Sequence, residues 1–159
     1  MCQRNSEIPH EAEEDIVCYK VLRWTHLEDA NFSEDYFRAP YQTTSYEIGK
    51  TYHDYVRPQI QYGENGNIRI DGGFYHFIKD FEAAREFMLY FAGQSFVGQY
   101  AVVKCVIPKG ALMSRGTFTV GSYYADKDRF SCDSICARSF TFVEVAEFGT
   151  VFEASKEKV

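Results

Sequence analysis

The stretch GGFYHFIKDFEAAREFMLYFA, residues 72–92, places a short strand directly before the clearest helix of the chain. The Gly72–Gly73 pair permits a sharp break or a close backbone approach. The aromatic run that follows predicts a strand over 74–78. The sequence therefore predicts a strand, turn and helix in immediate succession.

The helix is predicted over 80–92. Asp80 is a suitable N-cap, and Glu82 places negative charge in the first turn, where the helix dipole favours it. Gly93 is positioned to end the helix. Five apolar residues at helical spacing form one stripe that we expect to face the core: Phe81, Ala84, Phe87, Met88 and Phe91.

Three further stretches are predicted to be strands. IVCYKVLR at 16–23 is β-branched and aromatic, and YAVVKCVIP at 100–108 has apolar residues on both faces, which indicates a covered, central strand. SFTFVEVAEF at 139–148 alternates apolar and polar residues. The alternation slips between Phe142 and Val145, which predicts a β-bulge there.

Asn65-Gly66 separates two short alternating segments and predicts a β-hairpin, because this dipeptide favours positive φ. SYEIGKTY at 45–52 is predicted to be a short strand broken at Gly49. The segments 24–45 and 125–134 are predicted to be irregular and polar.

Residues 109–124 are predicted to be a loop leading into a short strand. The acidic segment 1–15 is predicted to be a mobile lead-in, 16–152 one globular domain, and 153–159 a charged tail. The fold class is α+β, dominated by strands in mixed or antiparallel sheets, with one helix.

Composition excludes several functional classes. The 159 residues carry a net charge of -6, which argues against a general nucleic-acid binder, since that function needs a concentrated basic face. No apolar run approaches the roughly 20 residues that span a bilayer, and the N-terminus lacks a signal-peptide core, so a cytoplasmic protein without membrane contact is predicted.

The five cysteines fit reduced thiols better than a disulfide framework. Cys132 and Cys136 form the close pair, spaced C-x3-C, but a structural zinc site normally needs a second pair of ligands. No metal site is predicted. Whether these two thiols meet in space stays open.

Several stretches in order resemble the ADP-ribosyltransferase-type fold. IVCYKVLR resembles the family's opening strand, GGFYHFIKDFEAAREF its strand–turn–helix, and YAVVKCVIPKG the central strand that follows. RSFTFVEV lies at the expected place near the C-terminus. The resemblance implies an ADP-ribosyltransferase-like architecture that binds or processes an NAD or ADP-ribose-type nucleotide, with NAD as a possible substrate.

Transfer of ADP-ribose passes through an oxocarbenium-like state that a carboxylate stabilises, and the ligand also needs a cation and an aromatic surface. The resemblance implies a cleft between the first strand and the strand–helix unit. Its implied ligand-binding residues are Tyr19, Lys20, Arg23, Tyr75 and His76, and its implied catalytic acids are Glu144 and Glu147.

Two departures from the family pattern leave enzyme and non-enzymatic binder both open. Lys20 stands where the family often has Arg or His, and no Ser-Thr-Ser triplet precedes the helix. An alternative hypothesis is a non-catalytic domain that binds a protein or a second copy of itself through exposed aromatics. Its candidate residues are Tyr36, Phe37, Tyr41, Tyr46, Tyr52 and Tyr55.

Overall fold

The computed structural model describes residues 2–39, 44–66, 68–94, 99–122 and 125–150. Within these ranges the chain forms thirteen strands, one α-helix, α1 (Phe81–Gln94), and a 3-10 turn at Glu64–Gly66. The strands are β1 (Cys2–Asn5), β2 (His10–Glu11), β3 (Ile16–Asp29), β4 (Phe32–Arg38), β5 (Ser45–Tyr46), β6 (Thr51–His53), β7 (Gln59–Tyr62), β8 (Ile68–Gly72), β9 (Tyr75–Ile78), β10 (Gln99–Ile107), β11 (Leu112–Ser122), β12 (Ala125–Ala137) and β13 (Ser139–Thr150).

All recorded strand pairs are antiparallel, and they join into one curled sheet. The order along the sheet is β6-β13-β10-β3-β9-β12-β11-β1-β8-β7, with β2 beside β11 and β4 between β3 and β5. The predicted strand-dominated α+β class is confirmed, with antiparallel rather than mixed pairing. No described helix is long and apolar enough to cross a membrane.

The centre of the sheet is β10, as its apolar sequence predicted. It pairs with β3 on one side and β13 on the other, and its residues 101–103 are fully buried. The predicted bulge in β13 is also present: Lys104 lies opposite Glu144, whereas the next residue, Cys105, lies opposite Phe142. One residue of β13 is therefore left over at 143.

Helix α1 covers one face of this centre. Three members of the predicted stripe, Ala84, Phe87 and Met88, are buried against Tyr100 and other sheet residues. Phe81 is half-buried, and the side chain of Phe91 lies outside the described residues. The Ala84 amide donates to the Asp80 carbonyl at 3.0 Å, consistent with the predicted start. The predicted end at Gly93 is wrong, because the helix continues to Gln94.

The hairpin predicted at Asn65-Gly66 is confirmed by the pairing of β7 with β8, and Gly66 has a φ of 75°. The close backbone approach predicted at the Gly72–Gly73 pair is present at Gly73. Its φ is 83°, and a Cβ atom there would lie 2.8 Å from the Val56 carbonyl oxygen and 2.9 Å from the Pro58 Cα. Only glycine fits this backbone without strain.

Polar segments form more strand than predicted. Residues 24–45 were expected to be irregular, but β3 runs on to Asp29 and pairs with β4. The expected loop and short strand at 109–124 and the expected polar connection at 125–134 form the long antiparallel pair β11–β12. These strands are rich in Ser, Thr, Asp and Gly, and pairing with distant strands overrides their weak intrinsic preference.

The segment 1–15, predicted as a mobile lead-in, contains two strands, β1 and β2. Its strand β1 lies between β11 and β8, and Asn5 is buried there. The Asn5 side-chain amide donates to Ser114 Oγ at 3.0 Å and approaches Cys136 Sγ at 3.4 Å. These bonds hold the acidic segment to the sheet. The predicted tail 153–159 lies outside the described residues.

Candidate functional site

The candidate site is a gap between two neighbouring strands, β3 and β9. They are joined by a single residue pair, Tyr19 with Ile78. Beside that pair lies a cavity of about 280 Å³. Its walls include Phe77 from the core on one face of the sheet and Phe87 from the core under α1. The cavity therefore follows the gap between the strands.

Aromatic rings make up much of the cavity wall, and a few polar groups lie among them. The aromatic lining residues are Tyr19, Tyr46, Phe74, Tyr75, Phe77, Phe87 and Phe118. The charged or titratable ones besides tyrosine are Lys20, Asp54 and His76. A mostly apolar concave wall with a few polar groups is the usual form of a small-molecule site.

Lys20 places a cation among these rings. Its Nζ donates a hydrogen bond of 2.7 Å to the backbone oxygen of His76. The same Nζ lies 4.6 Å from the centroid of the Phe77 ring, with Phe140 and Tyr46 at 5.8 and 5.9 Å. Burial lowers the pKa of Lys20, although two neighbouring cysteines oppose that effect. The ammonium is held by ring faces and a carbonyl.

His76 contributes a neutral imidazole to the same wall. Burial, and next the positive charge of Lys20, lower its pKa to about 4. At neutral pH the ring is therefore uncharged and offers one donor and one acceptor nitrogen. Lys20 therefore supplies positive charge to the site, whereas the neutral His76 ring adds none.

Tyr75 presents a partly exposed ring to the cavity. The ring packs edge-on against Phe140, with centroids 4.9 Å apart and planes at 73°. Burial first, and then the nearby Asp54 carboxylate, raise the pKa of the Tyr75 hydroxyl. The hydroxyl therefore stays protonated at neutral pH, and the supporting Phe140 fixes the ring.

Asp54 supplies a carboxylate to the lining, and the sequence analysis missed it. Its Oδ1 accepts a bond of 2.9 Å from the Val56 amide, which forms a turn. Arg138 ties this turn to the sheet: Nη2 donates to the Asp54 carbonyl at 2.6 Å, and the Asp54 amide donates to the Arg138 carbonyl at 2.8 Å. Arg138 thus positions Asp54.

The structure brings together four of the residues that the resemblance implied, Tyr19, Lys20, Tyr75 and His76. Tyr19 adds a ring that packs against Phe81 of α1 at 5.7 Å. None of the other three implied residues is among the lining side chains of the described chain.

Arg23 lies further along β3, opposite Tyr100 of β10 and Arg38 of β4. Both implied catalytic acids take part in ion pairs away from the cavity lining. Glu144 lies 3.9 Å from Lys104 Nζ, and Glu147 Oε2 lies 3.0 Å from Nε of Arg85 on α1. Asp54 is the one carboxylate in the lining, as far as the structure describes it.

The aromatic residues of the alternative hypothesis differ in burial. Phe37 and Tyr46 are buried, contrary to the expected exposure, because their rings pack against Phe142 and Phe140. Tyr52 is half-buried, also against Phe140. The exposed members are Tyr36 and Tyr55, and Tyr41 lies outside the described residues.

The described residues hold no group of three metal-ligating side chains. Cys132 and Cys136 lie four residues apart on one strand, β12, which separates them by about 13 Å at strand spacing. They therefore do not meet. Cys18 and Cys105 face each other across β3 and β10, and these four cysteines are free.

Protein-family models, curated proteins and solved structures were all compared with the chain, and none of them matches it.

Proposed function

We propose that this protein binds an NAD or ADP-ribose-type nucleotide in the cavity between β3 and β9. The observation that supports this most directly is that Tyr19, Lys20, Tyr75 and His76 line one ring-walled cavity. They come from two separate segments of the sequence.

The proposal gives each polar group a partner on the ligand. The Lys20 ammonium suits a phosphate oxygen, and the Tyr75 ring suits a planar base. Asp54 suits the ribose hydroxyls, because an ionised carboxylate accepts hydrogen bonds from them. The volume of about 280 Å³ is just below the roughly 300–1,000 Å³ typical of ligand pockets. We therefore assign one base-and-ribose half of the nucleotide to the cavity.

The ADP-ribosyltransferase-like architecture is part of the same proposal. The two segments that carry the resemblance most clearly, IVCYKVLR and GGFYHFIKDFEAAREF, provide most of the cavity wall. We propose binding rather than turnover. The catalytic role implied for Glu144 and Glu147 stays a prediction, since each carboxylate is occupied by a basic partner. The cytoplasmic location also stays a proposal.

A thermal-shift series with NAD, ADP-ribose and ATP tests the binding. A ligand at a hundred times its dissociation constant adds about 2.7 kcal/mol, which is several degrees for a domain of this size. Lys20→Met should abolish the shift with NAD or ADP-ribose. Lys104→Met is the matched control, because Lys104 lies on the adjacent strand β10 and outside the cavity lining.

The proposal fails if no nucleotide shifts the unfolding temperature of the unaltered protein. It also fails if Lys20→Met and Lys104→Met keep equal shifts. A shift with NAD and ADP-ribose but none with ATP assigns specificity to the second ribose of the ligand, because ATP shares the adenine, the first ribose and the phosphates.

A second candidate function, protein binding, is favoured by a separate observation. Leu27, Phe32 and Tyr36 are exposed together on the hairpin formed by β3 and β4. This surface shares no residue with the cavity lining. Phe32→Ser should therefore leave nucleotide shifts unchanged, whereas Lys20→Met should leave protein binding unchanged.

A further inference from the structure

The end of β3 and the start of β4 form a two-stranded ribbon, which we call the acidic arm (residues 25–36). Thr25 pairs with Tyr36 and Asp29 with Phe32. Within the described residues, the pairing of β3 with its other neighbour, β10, ends at Trp24, opposite Gln99 where β10 begins. The arm extends beyond this last described pair.

One face of the arm carries exposed apolar side chains. Leu27, Phe32 and Tyr36 lie on this face together with Asp29 and Glu34, because directly paired residues and residues two positions apart share a face. The three side chains are 47%, 49% and 42% exposed. An apolar cluster on a ribbon with so little support is unusual for a surface that contacts only water.

The opposite face carries a hydrogen-bond network that fixes the ribbon. Asp35 Oδ1 accepts from Trp24 Nε1 at 2.9 Å and lies 2.7 Å from His26 Nδ1. Ser33 Oγ lies 3.3 Å from the other ring nitrogen of His26. Isolated hairpins are marginally stable in water, so these bonds give the arm a defined shape.

The arm is also strongly acidic. It contains Glu28, Asp29, Glu34 and Asp35, and no lysine or arginine lies between residues 25 and 36. A surface with apolar side chains among carboxylates is complementary to a segment with apolar and basic residues.

One edge of the arm offers free backbone groups. The outer edge of β4 pairs with β5 only at Phe37 and Arg38. Along 32–36 no other strand pairs with this edge in the part of the chain that the structure describes. Such an edge can accept a further strand.

We propose that the acidic arm binds an extended segment of another protein in which apolar residues alternate with lysine or arginine. The segment adds as a strand along residues 32–36 of β4. Its apolar residues cover Leu27, Phe32 and Tyr36, and its basic residues lie on the opposite face with Glu28 and Asp35. A second copy of this chain is the poorer occupant, because two arms would bring eight carboxylates together.

The chain provides its own reporter for this interaction. Trp24 is the single tryptophan of the sequence, and its indole is bonded to Asp35 of the arm. The probe is a capped octapeptide that alternates lysine and valine. Titration should change the Trp24 emission in a saturable way, and added salt should weaken the binding.

Charge variants test the location. The double variant Glu28→Lys and Glu34→Lys should weaken binding of the peptide by about tenfold or more, because it reverses the charge of two of the four carboxylates of the arm. The double variant Glu13→Lys and Glu64→Lys changes the net charge equally at exposed positions outside the arm, and should bind as the unaltered protein does. Phe32→Ser should also weaken binding.

Two further peptides test the strand pairing. A peptide with proline in place of every valine cannot form the strand ladder and should not bind. A peptide with glutamate in place of lysine should not bind either. The proposal is overturned if both double variants weaken binding equally, or if the proline peptide binds as well as the original. Concentration-dependent dimerisation abolished by Phe32→Ser would overturn it in favour of a second copy.

Discussion

The ammonium of Lys20 donates a 2.7 Å hydrogen bond to the backbone oxygen of His76. This bond crosses from β3 to β9, which share only one paired residue. A charged side chain thus provides a link between strands where the backbone ladder is almost absent. It also places positive charge beside the cavity. Lys20 is therefore expected to act both in stability and in ligand binding.

Replacing Lys20 with methionine should destabilise the protein. The change leaves the His76 carbonyl without this donor, and a hydrogen bond from a charged group contributes about 1.5–3 kcal/mol. Lys104→Met should cost less than about 1 kcal/mol, since Lys104 makes a partly exposed ion pair of 3.9 Å. Urea unfolding of both variants measures the difference. Equal losses would contradict a structural role for the Lys20 bond.

The neutral His76 should make stability depend on pH. Its pKa is about 4 in the folded protein, below the ordinary value of 6.5, so the unfolded chain binds the proton more readily. The stabilisation is present above pH 6.5 and is lost as pH falls towards 4, by at most about 3 kcal/mol.

Denaturant unfolding at pH 7 and pH 4.5 checks this dependence. His76→Gln should reduce the difference between the two pH values. His10→Gln should keep most of it, because His10 lies on β2, outside the cavity lining. A dependence that His76→Gln leaves unchanged would assign the pH effect to other groups.

Gly73→Ala should be clearly more destabilising than Gly110→Ala. Both glycines have positive φ, 83° and 87°, which costs an alanine about 1–2 kcal/mol. At Gly73 the new Cβ would also lie 2.8 Å from the Val56 carbonyl oxygen, whereas nothing lies within 4 Å at Gly110. Unfolding free energies of the two variants separate the clash from the shared backbone strain. Similar losses of unfolding free energy would show that the backbone at Val56 moves to make room for the new methyl group.

The buried thiols should resist alkylation in the folded protein. Burial raises the pKa of Cys105 to about 12, and Cys18 is shifted in the same direction by the same cause. Cys132 should react before either of them because it is half-exposed, although its pKa is raised to about 11.

Mass spectrometry after a timed iodoacetamide treatment at pH 8 gives the order of reaction. In denaturant the three thiols should react at similar rates, since the thiolate is the reactive form and its suppression requires the fold. Rapid native labelling of Cys18 or Cys105 would show that β3 and β10 separate readily.

The elements that could be predicted carry a strong local signal. The helix at 80–92, the strands at 16–23 and 100–108, and the Asn65-Gly66 hairpin each follow from periodicity or turn chemistry. The bulge after Phe142 follows from a break in alternation.

The strands that were missed depend on distant partners. In β11, Gly116 has a low intrinsic strand propensity, yet it pairs with Asn5 of β1, so closely that a Cβ would collide with the Arg4 carbonyl. The polar β12 forms a strand because β9 and β11 lie on its two sides. No local pattern in either sequence encodes these neighbours.

The site was predictable only in part for the same reason. Tyr75 and His76 follow a glycine pair, and Lys20 interrupts an apolar strand, so each is conspicuous in the sequence. Asp54 has the local signature of a turn residue and nothing more. Its place in the cavity depends on Arg138, 84 positions away along the chain.

The single pair between Tyr19 and Ile78 gives the sheet a crease. Regions with few backbone bonds open at a lower free energy than the whole molecule, so the strands on either side can part while each half keeps its own ladders. Since the cavity lies in this crease, a bound molecule would contact both halves of the sheet and hold them together. Amide exchange at the crease would then slow on binding, and the slowing would report occupancy without any assay of turnover.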